Sequence, residues 1–398
     1  MDIRIHPRSL RGSINIIPSK SQAHRILICA AFSDRVTQII CPETSRDMEA
    51  TADCLRALGA DIIRTETGYS VSPATHIPET AALNCCESGS TLRFILPVAG
   101  ALGVDSVFLM EGRLPQRPLS PLWEEMERMG CHLSRPAKNA IRCQGQLRPG
   151  NYSIDGSVSS QFITGLLLAL SLMNAESSLT ITGKTESRPY IDLTRQAIDL
   201  FGADPDSPGT KNFRSPGCIT VEGDWSNGAF FLAADCLNTE PGLDIHGLDD
   251  TSVQGDRAAA YWIPKLCLEH CTIDACDIPD LVPILSVTAA AKNGAVFTNI
   301  QRLRIKESDR VASTIHMIQN LGGRAEATAD TLTVFGTGLT GGTVDAVNDH
   351  RIAMSAAIAS TVCKQDVIIL GAECVKKSYP KFWEEFSRLG GSYEQYLR

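Results

Sequence analysis

The chain of 398 residues is 43% hydrophobic and 21% charged, a composition typical of an ordered protein that excludes an intrinsically disordered chain. The length fits two or three domains, each with a full hydrophobic core. The formal net charge of -8 argues against non-specific binding to nucleic acid, because such binding requires the neutralisation of many phosphates. We therefore expect no nucleic-acid partner.

No segment of the sequence indicates insertion into a membrane or export. The longest nearly apolar run, Phe162–Met173, is too short to span a bilayer, and the N-terminal MDIRIHPRSL has no apolar signal segment. We therefore expect a cytoplasmic location. The fourteen cysteines include no CxxC pair, and free thiols are expected. Three cysteines lie close to a histidine in the sequence: Cys267, His270, Cys271 and Cys276. Their spacing matches no zinc-binding pattern, so no metal is expected there.

A helical pattern that ends on a glycine recurs along the chain. Glycine suits the left-handed backbone conformation that often follows the last turn of a helix. The gaps between the recurring glycines are 71, 72, 120 and 68 residues, and the gap of 120 contains one degenerate copy at residues 257–270. The chain therefore contains six repeats of about 66 residues (398 divided by six). The glycines are Gly59, Gly130, Gly202, Gly322 and Gly390.

Each repeat is predicted to contain a strand, a helix, a strand, a helix and a β-hairpin. The fold class is thus α+β, built from α/β-type repeats. In the first repeat the helices are predicted at Ser21–Phe32 and Ser45–Leu58. The strands are predicted at Gly12–Ile17, at Val36–Ile40, around Asp61–Arg64 and around Tyr69–Val71.

Six repeats could form a closed ring or two domains of three repeats with pseudo-threefold symmetry. Two domains are expected, because six repeats exceed what one hydrophobic core normally holds. We place the crossover at Val221–Asp224. The first domain would cover residues 14–223, and the second would cover residues 1–13 and 224–398. The opening strand, Asp2–Ile5, belongs to no repeat and would complete the second domain. The chain would then pass between the two domains twice, and such a connection can act as a hinge.

Polar residues recur at the predicted helix starts of successive repeats. Free N–H groups and the helix dipole favour anions there, and added Lys and Arg side chains strengthen this preference. Two domains that turn these helix starts toward one cleft would bind a ligand with several negative charges. The segments are residues 18–25, 87–93, 156–162, 278–281 and 348–351 at first helices, and 115–120, 186–190, 306–310 and 376–380 at second helices.

Each segment alone also has a purely structural interpretation. Lys306–Arg310 resembles a solvated helix start with Glu307 or Ser308 as its N-cap, and Asp280 resembles an ordinary cap. Their recurrence at equivalent positions favours the binding interpretation. The sequence contains neither GxxxxGK[ST] nor GxGxxG, so a nucleotide cofactor lacks its main support.

Nine short motifs occur in the order seen in the 5-enolpyruvylshikimate-3-phosphate (EPSP) synthases, and the chain resembles this family over essentially its whole length. The motifs are SKSQAHR, SGSTLR, the RP at 117–118, DGSVSSQF, SRPYID, IPD, KESDR, NDHR and KSYP. The resemblance implies two domains, each of three βαβαββ units, that close over an interdomain cleft.

The resemblance also implies an activity. The enolpyruvyl group of phosphoenolpyruvate would pass to the 5-hydroxyl of shikimate 3-phosphate with release of phosphate, through a tetrahedral intermediate. This step belongs to the shikimate pathway of aromatic amino-acid biosynthesis. No metal or organic cofactor is implied. The expected partners are the two small-molecule substrates, bound by a monomer.

Site residues follow from the resemblance, position by position. Asp280 would accept the hydroxyl proton, Glu307 would protonate the vinyl carbon, and Lys20 would contact both substrates as a third catalytic residue. Shikimate 3-phosphate would be bound by Lys20, Ser21, Arg25, Ser159, Ser160, Gln161, Ser187, Tyr190, Asp280 and Lys306. Phosphoenolpyruvate would be bound by Lys20, Gly89, Arg117, Gln161, Arg310, Arg351 and Lys377. Two residues would have supporting roles: Arg93, and Asp309 as the partner that orients Arg310.

Three positions depart from the family pattern. Glu87 and Ser88 stand where many members have Asn-Ala, which leaves the fine geometry of the phosphoenolpyruvate site open. Arg302 stands where an Asn ligand is expected, and we leave it out of the site. Arg188 replaces a common Lys.

Two other functions are kept as alternatives. The sister enolpyruvyl transferases that act on UDP-N-acetylglucosamine carry a reactive Cys or Asp in the loop before the RP motif, whereas this loop, Met110–Pro118, contains neither. A non-enzymatic binding or clamp protein would need the cations but not Asp280 and Glu307 beside them.

Overall fold

The computed structural model describes residues 1–173, 175–210, 212–238 and 242–396. Contacts within the chain divide it into two compact units. The central unit is Pro18–Glu222, and the terminal unit combines Met1–Ile17 with Gly223–Arg398. Each unit has its own hydrophobic core.

Strands and helices are interspersed along the described residues. The strands are β1 (Ile3–His6), β2 (Gly12–Asn15), β3 (Thr37–Ile40), β4 (Asp61–Arg64), β5 (Gly68–Ser72), β6 (Thr80–Asn84), β7 (Asp105–Leu109), β8 (Cys131–Ala137), β9 (Ala140–Gly145), β10 (Asn151–Asp155), β11 (Ser178–Thr182), β12 (Cys218–Thr220), β13 (Leu243–His246), β14 (Cys271–Asp274), β15 (Ala295–Thr298), β16 (Arg324–Ala327), β17 (Thr331–Phe335), β18 (Gly342–Asp345), β19 (Val367–Leu370) and β20 (Ser392–Gln395). The α-helices are α1 (Lys20–Ala31), α2 (Arg46–Ala57), α3 (Gly89–Leu102), α4 (Leu122–Arg128), α5 (Ser160–Ser171), α6 (Arg188–Leu200), α7 (Trp225–Leu237), α8 (Ala259–Leu268), α9 (Val282–Ala291), α10 (Arg310–Asn320), α11 (His350–Ala359) and α12 (Phe382–Arg388).

The strands of the central unit form two four-stranded sheets and one pair. The sheet orders are β12–β3–β5–β4 and β6–β7–β9–β8, and the pair is β10–β11. In each larger sheet one parallel pair is followed by antiparallel neighbours. Parallel strands followed by a hairpin are what a βαβαββ repeat produces, because only the parallel connection needs a helix.

The terminal unit has the same arrangement. Its sheet orders are β14–β15–β17–β16 and β18–β19–β1–β20, and its pair is β2–β13. The opening strand β1 runs antiparallel to both of its neighbours, with Ile3 opposite Ile369 on β19 and opposite Gln395 on β20. The fold class expected from the sequence, repeats of helices and mixed sheets, is therefore confirmed.

The first repeat also shows how far local pattern predicted the elements. The helices α1 and α2 begin and end within one residue of the predicted bounds, and β3, β4 and β5 lie where strands were expected. The recurring glycines all have positive φ, between 70° and 117°, which confirms the left-handed conformation after each helix.

One strand lies in a different unit from the one expected. Residues 14–17 were placed in the first domain, but the structure includes them, with Gly223, in the terminal unit. The reason is that β2 pairs in parallel with β13, where Ile14 lies opposite Ile245. The parallel neighbour of β3 is β12, with Ile219 opposite Ile39. The sheet next to α1 is thus completed by a strand from the far end of the central unit.

The site is positioned by the helices buried within each unit. In the central unit α1, α3 and α5 are almost wholly buried, and α3 packs against α5. In the terminal unit α7, α9 and α11 pack against one another. No helix among the described residues is long and apolar enough to cross a membrane. All fourteen cysteines are free thiols.

Candidate active site

Arg310 is the centre of a buried charge cluster in the terminal unit. Its guanidinium donates through Nε to Asp349 Oδ2 at 2.9 Å, through Nη1 to Asp280 Oδ1 at 2.7 Å and through Nη2 to Glu307 Oε2 at 2.6 Å. The Arg310 side chain is only 2% exposed. Three carboxylates raise the pKa of Arg310 well above its usual value in spite of its burial. The guanidinium is therefore charged and fixed in one orientation.

Asp280 lies among three cations. Its carboxylate contacts Arg310 at 2.7 Å and Arg351 at 3.1 Å, and Lys306 Nζ lies 3.7 Å from Oδ1. Burial alone would raise the pKa of Asp280, but the fields of Arg351, Lys306 and Arg310 outweigh it and hold the pKa well below its usual value. Asp280 is therefore a carboxylate that can accept a proton only when some of this positive charge is neutralised.

Lys306 titrates closer to neutral pH than a lysine in water does. Burial lowers its pKa to about 8, and although Asp280 raises it, Arg302 and Arg310 lower it further. Arg302, which we left out of the site, is thus close enough to affect the charge of Lys306. Its place in the short 3₁₀-helix Gln301–Ile305, just before Lys306, explains this influence.

Arg351 and Lys377 both donate to main-chain oxygens, and Arg351 also contacts Asp280 of the cluster. Arg351 donates to the carbonyl of Ser226 at 3.2 Å and to its hydroxyl at 2.9 Å. Lys377 Nζ donates to the carbonyl of Asn348 at 2.9 Å. Asn348 and the preceding Val347 both have positive φ, 58° and 44°, an unfavourable conformation for side-chain-bearing residues. The turn before α11 therefore stores strain beside Lys377.

Two expectations about the KESDR motif are wrong. The N-cap of α10 is neither Glu307 nor Ser308 but Asp309, whose side chain accepts from the Ala312 N–H at 3.1 Å. Asp309 does not orient Arg310, because its carboxylate is used for this cap and approaches Arg304 at 3.7 Å. The residue that orients Arg310 is Asp349, which the sequence suggested only as a helix start.

In the central unit, Arg25 is a buried guanidinium surrounded by neutral oxygen atoms. It donates to Thr194 Oγ1 at 2.8 Å, to Thr164 Oγ1 at 3.1 Å and to the carbonyl of Tyr190 at 2.8 Å. It also lies over the Phe94 ring, 5.0 Å from its centroid. None of these partners carries a negative charge, and burial lowers the Arg25 pKa to about 9. Such a cation is favoured by a bound anion.

Lys20 and Ser21 occupy the first turn of α1. Ser19 caps this helix by accepting from the Gln22 N–H, and Lys20 Nζ donates to Asp47 Oδ2 on α2 at 3.0 Å. The Ser21 carbonyl accepts from Arg25 at 2.5 Å. The first two residues of α1 and Arg25 one turn later therefore lie close together.

Gly89, the first residue of α3, lies directly beneath two guanidinium groups. A Cβ atom at this position would lie 2.6 Å from Nη1 of Arg117 and 2.6 Å from Nη1 of Arg93. Gln161 accepts from Arg93 at 3.1 Å and donates to Ser90 Oγ at 3.0 Å. Only glycine leaves space for both guanidinium groups above the backbone.

The three expected phosphate-binding serines lie at helix starts. Ser159 caps α5 by accepting from the Gln161 N–H at 3.3 Å, and Ser160 is the buried first residue of this helix. Ser187 precedes α6 with φ of 55° and ψ of 43°, so a buried serine is held in the left-handed region. Tyr190, on α6, accepts from Arg25 through its carbonyl.

The residues that depart from the family pattern have local partners. Ser88 caps α3 by accepting from the Thr91 N–H at 3.1 Å. Glu87 lies against the loop before the RP motif, where a Cβ at Gly112 would be 2.6 Å from Glu87 Oε2. Arg188 is the exposed first residue of α6.

The structure thus forms two groups of predicted site residues, one in each unit. The terminal-unit group contains Asp280, Lys306, Glu307, Arg310, Arg351 and Lys377. The central-unit group contains Lys20, Ser21, Arg25, Gly89, Arg117, Ser159, Ser160, Gln161, Ser187 and Tyr190. The structural roles of Asp349 and Ser226 were not predictable from the sequence, since polar residues at helix starts give the same signal as ordinary caps.

The fold consists of repeats of helices and mixed sheets, and cations and hydroxyls lie together at the helix starts. This combination is typical of an enzyme that acts on multiply charged anions. The family model of EPSP synthase (3-phosphoshikimate 1-carboxyvinyltransferase) matches residues 5–266 and 264–386. The chain belongs to this family, as its motifs predicted.

Individual relatives match this chain along nearly its whole length. A 3-phosphoshikimate 1-carboxyvinyltransferase of Clostridium kluyveri is 36% identical, covering 99% of this chain and 98% of its own. One of Clostridium perfringens is 37% identical, covering 97% and 98%. The solved EPSP synthase of Acinetobacter baumannii has a TM-score of 0.81 at 20% identity, with 100% of both chains covered, and so shares the fold.

Proposed function

We propose that the chain transfers the enolpyruvyl group of phosphoenolpyruvate to the 5-hydroxyl of shikimate 3-phosphate and releases phosphate. Family membership supports this reaction. The observation that carries the proposal is the position of Asp280 among Lys306, Arg310 and Arg351. Each substrate has a phosphate and a carboxylate, so the site must combine several cations with one group that can accept a proton.

The reaction removes one proton and adds another in each half. In the addition, the 5-hydroxyl oxygen bonds to C2 of phosphoenolpyruvate, its proton passes to Asp280, and a proton from Glu307 adds to C3. The product of this step is a tetrahedral intermediate. In the elimination, C3 returns a proton to Glu307, the double bond re-forms, the bond from C2 to the phosphate oxygen breaks, and the proton held by Asp280 passes to the departing phosphate. The products are the enolpyruvyl ether of shikimate 3-phosphate and inorganic phosphate.

Substrate binding would activate Asp280. The cations that hold its pKa down are the proposed ligands of the substrate anions, namely Arg310 and Arg351 for phosphoenolpyruvate and Lys306 for shikimate 3-phosphate. Negative charge brought next to them offsets their effect on Asp280 and raises its pKa toward that of a useful base. The base would therefore become effective only when the substrates are bound.

Arg25 supports binding of shikimate 3-phosphate by the central unit. Its buried charge faces only neutral oxygens, and Ser159, Ser160 and Ser187 supply hydroxyls and free N–H groups at helix starts. We assign to the same substrate Lys20, Ser21, Gln161, Tyr190, Asp280 and Lys306.

The proposed ligands of phosphoenolpyruvate come from both units. Lys20, Gly89, Arg117 and Gln161 belong to the central unit, whereas Arg310, Arg351 and Lys377 belong to the terminal unit. Closure of the two units on the substrates therefore remains a prediction. Small-angle scattering should show a smaller radius of gyration when both substrates are saturating. An unchanged radius would contradict closure.

Phosphate release tests the function directly. We expect release only when shikimate 3-phosphate and phosphoenolpyruvate are both present. Release with UDP-N-acetylglucosamine and phosphoenolpyruvate would instead identify the sister activity. No release with either acceptor, together with tight binding of the anions, would indicate a binding protein.

We further propose a monomer that acts in the cytoplasm without a metal or organic cofactor. Sedimentation equilibrium, cell fractionation and activity after exhaustive dialysis against a chelator test these three points. A dimer, a membrane-bound fraction or loss of activity on dialysis would contradict them in turn.

A further inference from the structure

A continuous chain of hydrogen bonds links α1, α2 and α3 in the central unit. His24 Nδ1 lies 2.7 Å from Thr51 Oγ1, Thr51 Oγ1 lies 2.7 Å from Thr91 Oγ1, and Thr91 Oγ1 donates to Ser88 Oγ at 2.7 Å. All four side chains are buried, with at most 1% exposed. We call these residues the His24 chain.

The His24 chain reaches two residues that are proposed to bind phosphoenolpyruvate, Gly89 and Lys20. Ser88 is the N-cap of α3 and immediately precedes Gly89. Thr91 Oγ1 also lies 3.3 Å from the main-chain carbonyl of Asp47, whose carboxylate binds Lys20. The His24 chain therefore connects the helix start under Arg117 with the Lys20–Asp47 ion pair.

The direction of the hydrogen bonds follows from counting protons. Thr91 Oγ1 has one proton, which it shares between Ser88 Oγ at 2.7 Å and the Asp47 carbonyl at 3.3 Å, so Thr51 donates to Thr91 and accepts from His24 Nδ1–H. Burial, with Lys20 and Arg25 nearby, lowers the His24 pKa well below its usual value, which agrees with a neutral ring that carries its proton on Nδ1. Nε2 then bears a lone pair and has no hydrogen-bond partner among the described residues.

We propose that His24 is a positioning residue for phosphoenolpyruvate. Its Nδ1–H fixes the start of α3 at Gly89 relative to Lys20, through Thr51, Thr91 and the backbone of Asp47. His24 itself touches no substrate. The proposal rests on the proposed function, because it assumes that Gly89 and Lys20 bind phosphoenolpyruvate.

Substitutions that remove or keep the N–H donor test the role of His24. His24→Leu has a similar volume and no donor, and it should raise KM for phosphoenolpyruvate about tenfold, the loss expected for one hydrogen bond that holds the site. KM for shikimate 3-phosphate should rise less than KM for phosphoenolpyruvate, because the His24 chain reaches this substrate only through Lys20 and reaches phosphoenolpyruvate through both Gly89 and Lys20. His24→Asn keeps a side-chain N–H toward Thr51 and should retain KM for phosphoenolpyruvate within about twofold.

A second substitution shows whether the residues act as one chain. Thr51→Val should raise KM for phosphoenolpyruvate as His24→Leu does. The double variant should be no worse than about the worse single variant, since both interrupt the same chain. Fully additive effects would overturn the proposal.

A matched control separates positioning from simple stability. Thr37 and Ser215 form another buried hydroxyl pair in the same unit, with 2.7 Å between Thr37 Oγ1 and Ser215 Oγ. Thr37→Val should lower Tm as Thr51→Val does, but leave both KM values unchanged. If His24→Leu and Thr51→Val also lower only Tm, the His24 chain is merely structural.

Failure of the proposed function would look different. In that case the unsubstituted protein itself would release no phosphate from the two substrates. The Tm increase produced by phosphoenolpyruvate in the presence of shikimate 3-phosphate would still report its binding. A smaller increase in His24→Leu than in His24→Asn supports positioning, and equal increases overturn it.

Discussion

Arg310 and Asp349 form an ion pair inside the terminal unit, with 2.9 Å between Nε and Oδ2 and side chains that are 2% and 0% exposed. Asp349 also caps α11, where its Oδ1 accepts from the Arg351 N–H at 3.0 Å. One carboxylate therefore fixes the side chain of Arg310 and the backbone of Arg351. Two proposed phosphoenolpyruvate ligands depend on the same residue.

Removal of this carboxylate should destabilise the protein. Asp349→Ala leaves a buried guanidinium with one partner fewer, and a loss of about 3 kcal/mol in the free energy of unfolding is expected. Asp309→Ala is the matched control, since the partly exposed cap of α10 should cost only about 1 kcal/mol. Urea denaturation measures both. A larger cost for Asp309→Ala would show that Asp309, not Asp349, supports the cluster.

The same ion pair gives a pH dependence. The Asp349 pKa is lowered in the folded protein, because Arg310 outweighs the effect of burial. The unfolded state therefore binds the proton more readily, and the stabilisation present above the usual carboxyl pKa is lost as pH falls through the folded value. Tm measured from pH 6 downward should fall less steeply in Asp349→Ala than in the parent. Parallel curves would contradict this assignment.

Asp280→Ala should retain the substrates and lose turnover. General-base catalysis contributes about 10²- to 10⁴-fold, so kcat should fall by that factor while binding of both substrates, measured by calorimetry, persists. Asp280→Asn keeps the shape of the side chain and should be similarly impaired, which separates proton transfer from packing. Turnover at the parent rate in either variant would refute the base assignment.

Arg25→Met should weaken binding and stabilise the free protein. Loss of a charge-assisted contact of about 1.5 to 3 kcal/mol weakens binding of shikimate 3-phosphate roughly tenfold to a hundredfold. Because the buried Arg25 charge faces neutral groups, a methionine should raise Tm in the absence of substrate. Arg195→Met, at an exposed ion pair on the same unit, should change neither property. A lower substrate-free Tm for Arg25→Met would show that the charge is compensated.

Lys306 should produce the alkaline limb of the pH profile. With its pKa at about 8, Lys306 loses its positive charge above that pH, and kcat/KM for shikimate 3-phosphate should then fall. Lys306→Arg keeps the charge and should shift this limb to higher pH. An unchanged limb would assign it to another group. The stability effect has the opposite sign, because between pH 8 and 10.5 the unfolded chain binds the proton more tightly and folding gains stability as pH rises.

Cys267 should be the cysteine that reacts with alkylating agents at the lowest pH. A hydrogen bond from the Cys236 thiol lowers the Cys267 pKa to about 7, in spite of partial burial. The rate of its reaction with iodoacetamide, followed by peptide mass spectrometry, should have a midpoint near this pH. Cys236→Ala removes the donor and should move the midpoint up toward the usual thiol range. A midpoint that stays in place would exclude this hydrogen bond as the cause.

Local patterns predicted much of the fold because each repeat encodes its own helices. The recurring glycines and the helix starts gave the bounds of α1 and α2 to within one residue. The pairing partners of β2 and β12 were not predictable in the same way. Their neighbours, β13 and β3, lie far away in sequence, and parallel pairing leaves no local turn signal.

The site was predicted from its motifs. The errors concern the roles assigned to individual polar residues. Glu307, Ser308 and Asp309 can all cap a helix, so sequence alone could not select Asp309. Asp349 was seen only as part of NDHR, since its contact with Arg310 joins segments 39 residues apart. Burial, which decides the protonation of Lys306 and Arg25, also depends on the packed structure.

The place of β1 between β19 and β20 has a consequence for biosynthesis. During translation the central unit can fold once residue 222 has left the ribosome, because all of its strands are then present. By contrast, β1 is the first strand to emerge but cannot pair on both sides until β19 and β20 have been made. We expect Ile3–His6 to stay unpaired in the nascent chain until β19 emerges, and chaperones to bind this strand until both β19 and β20 are present.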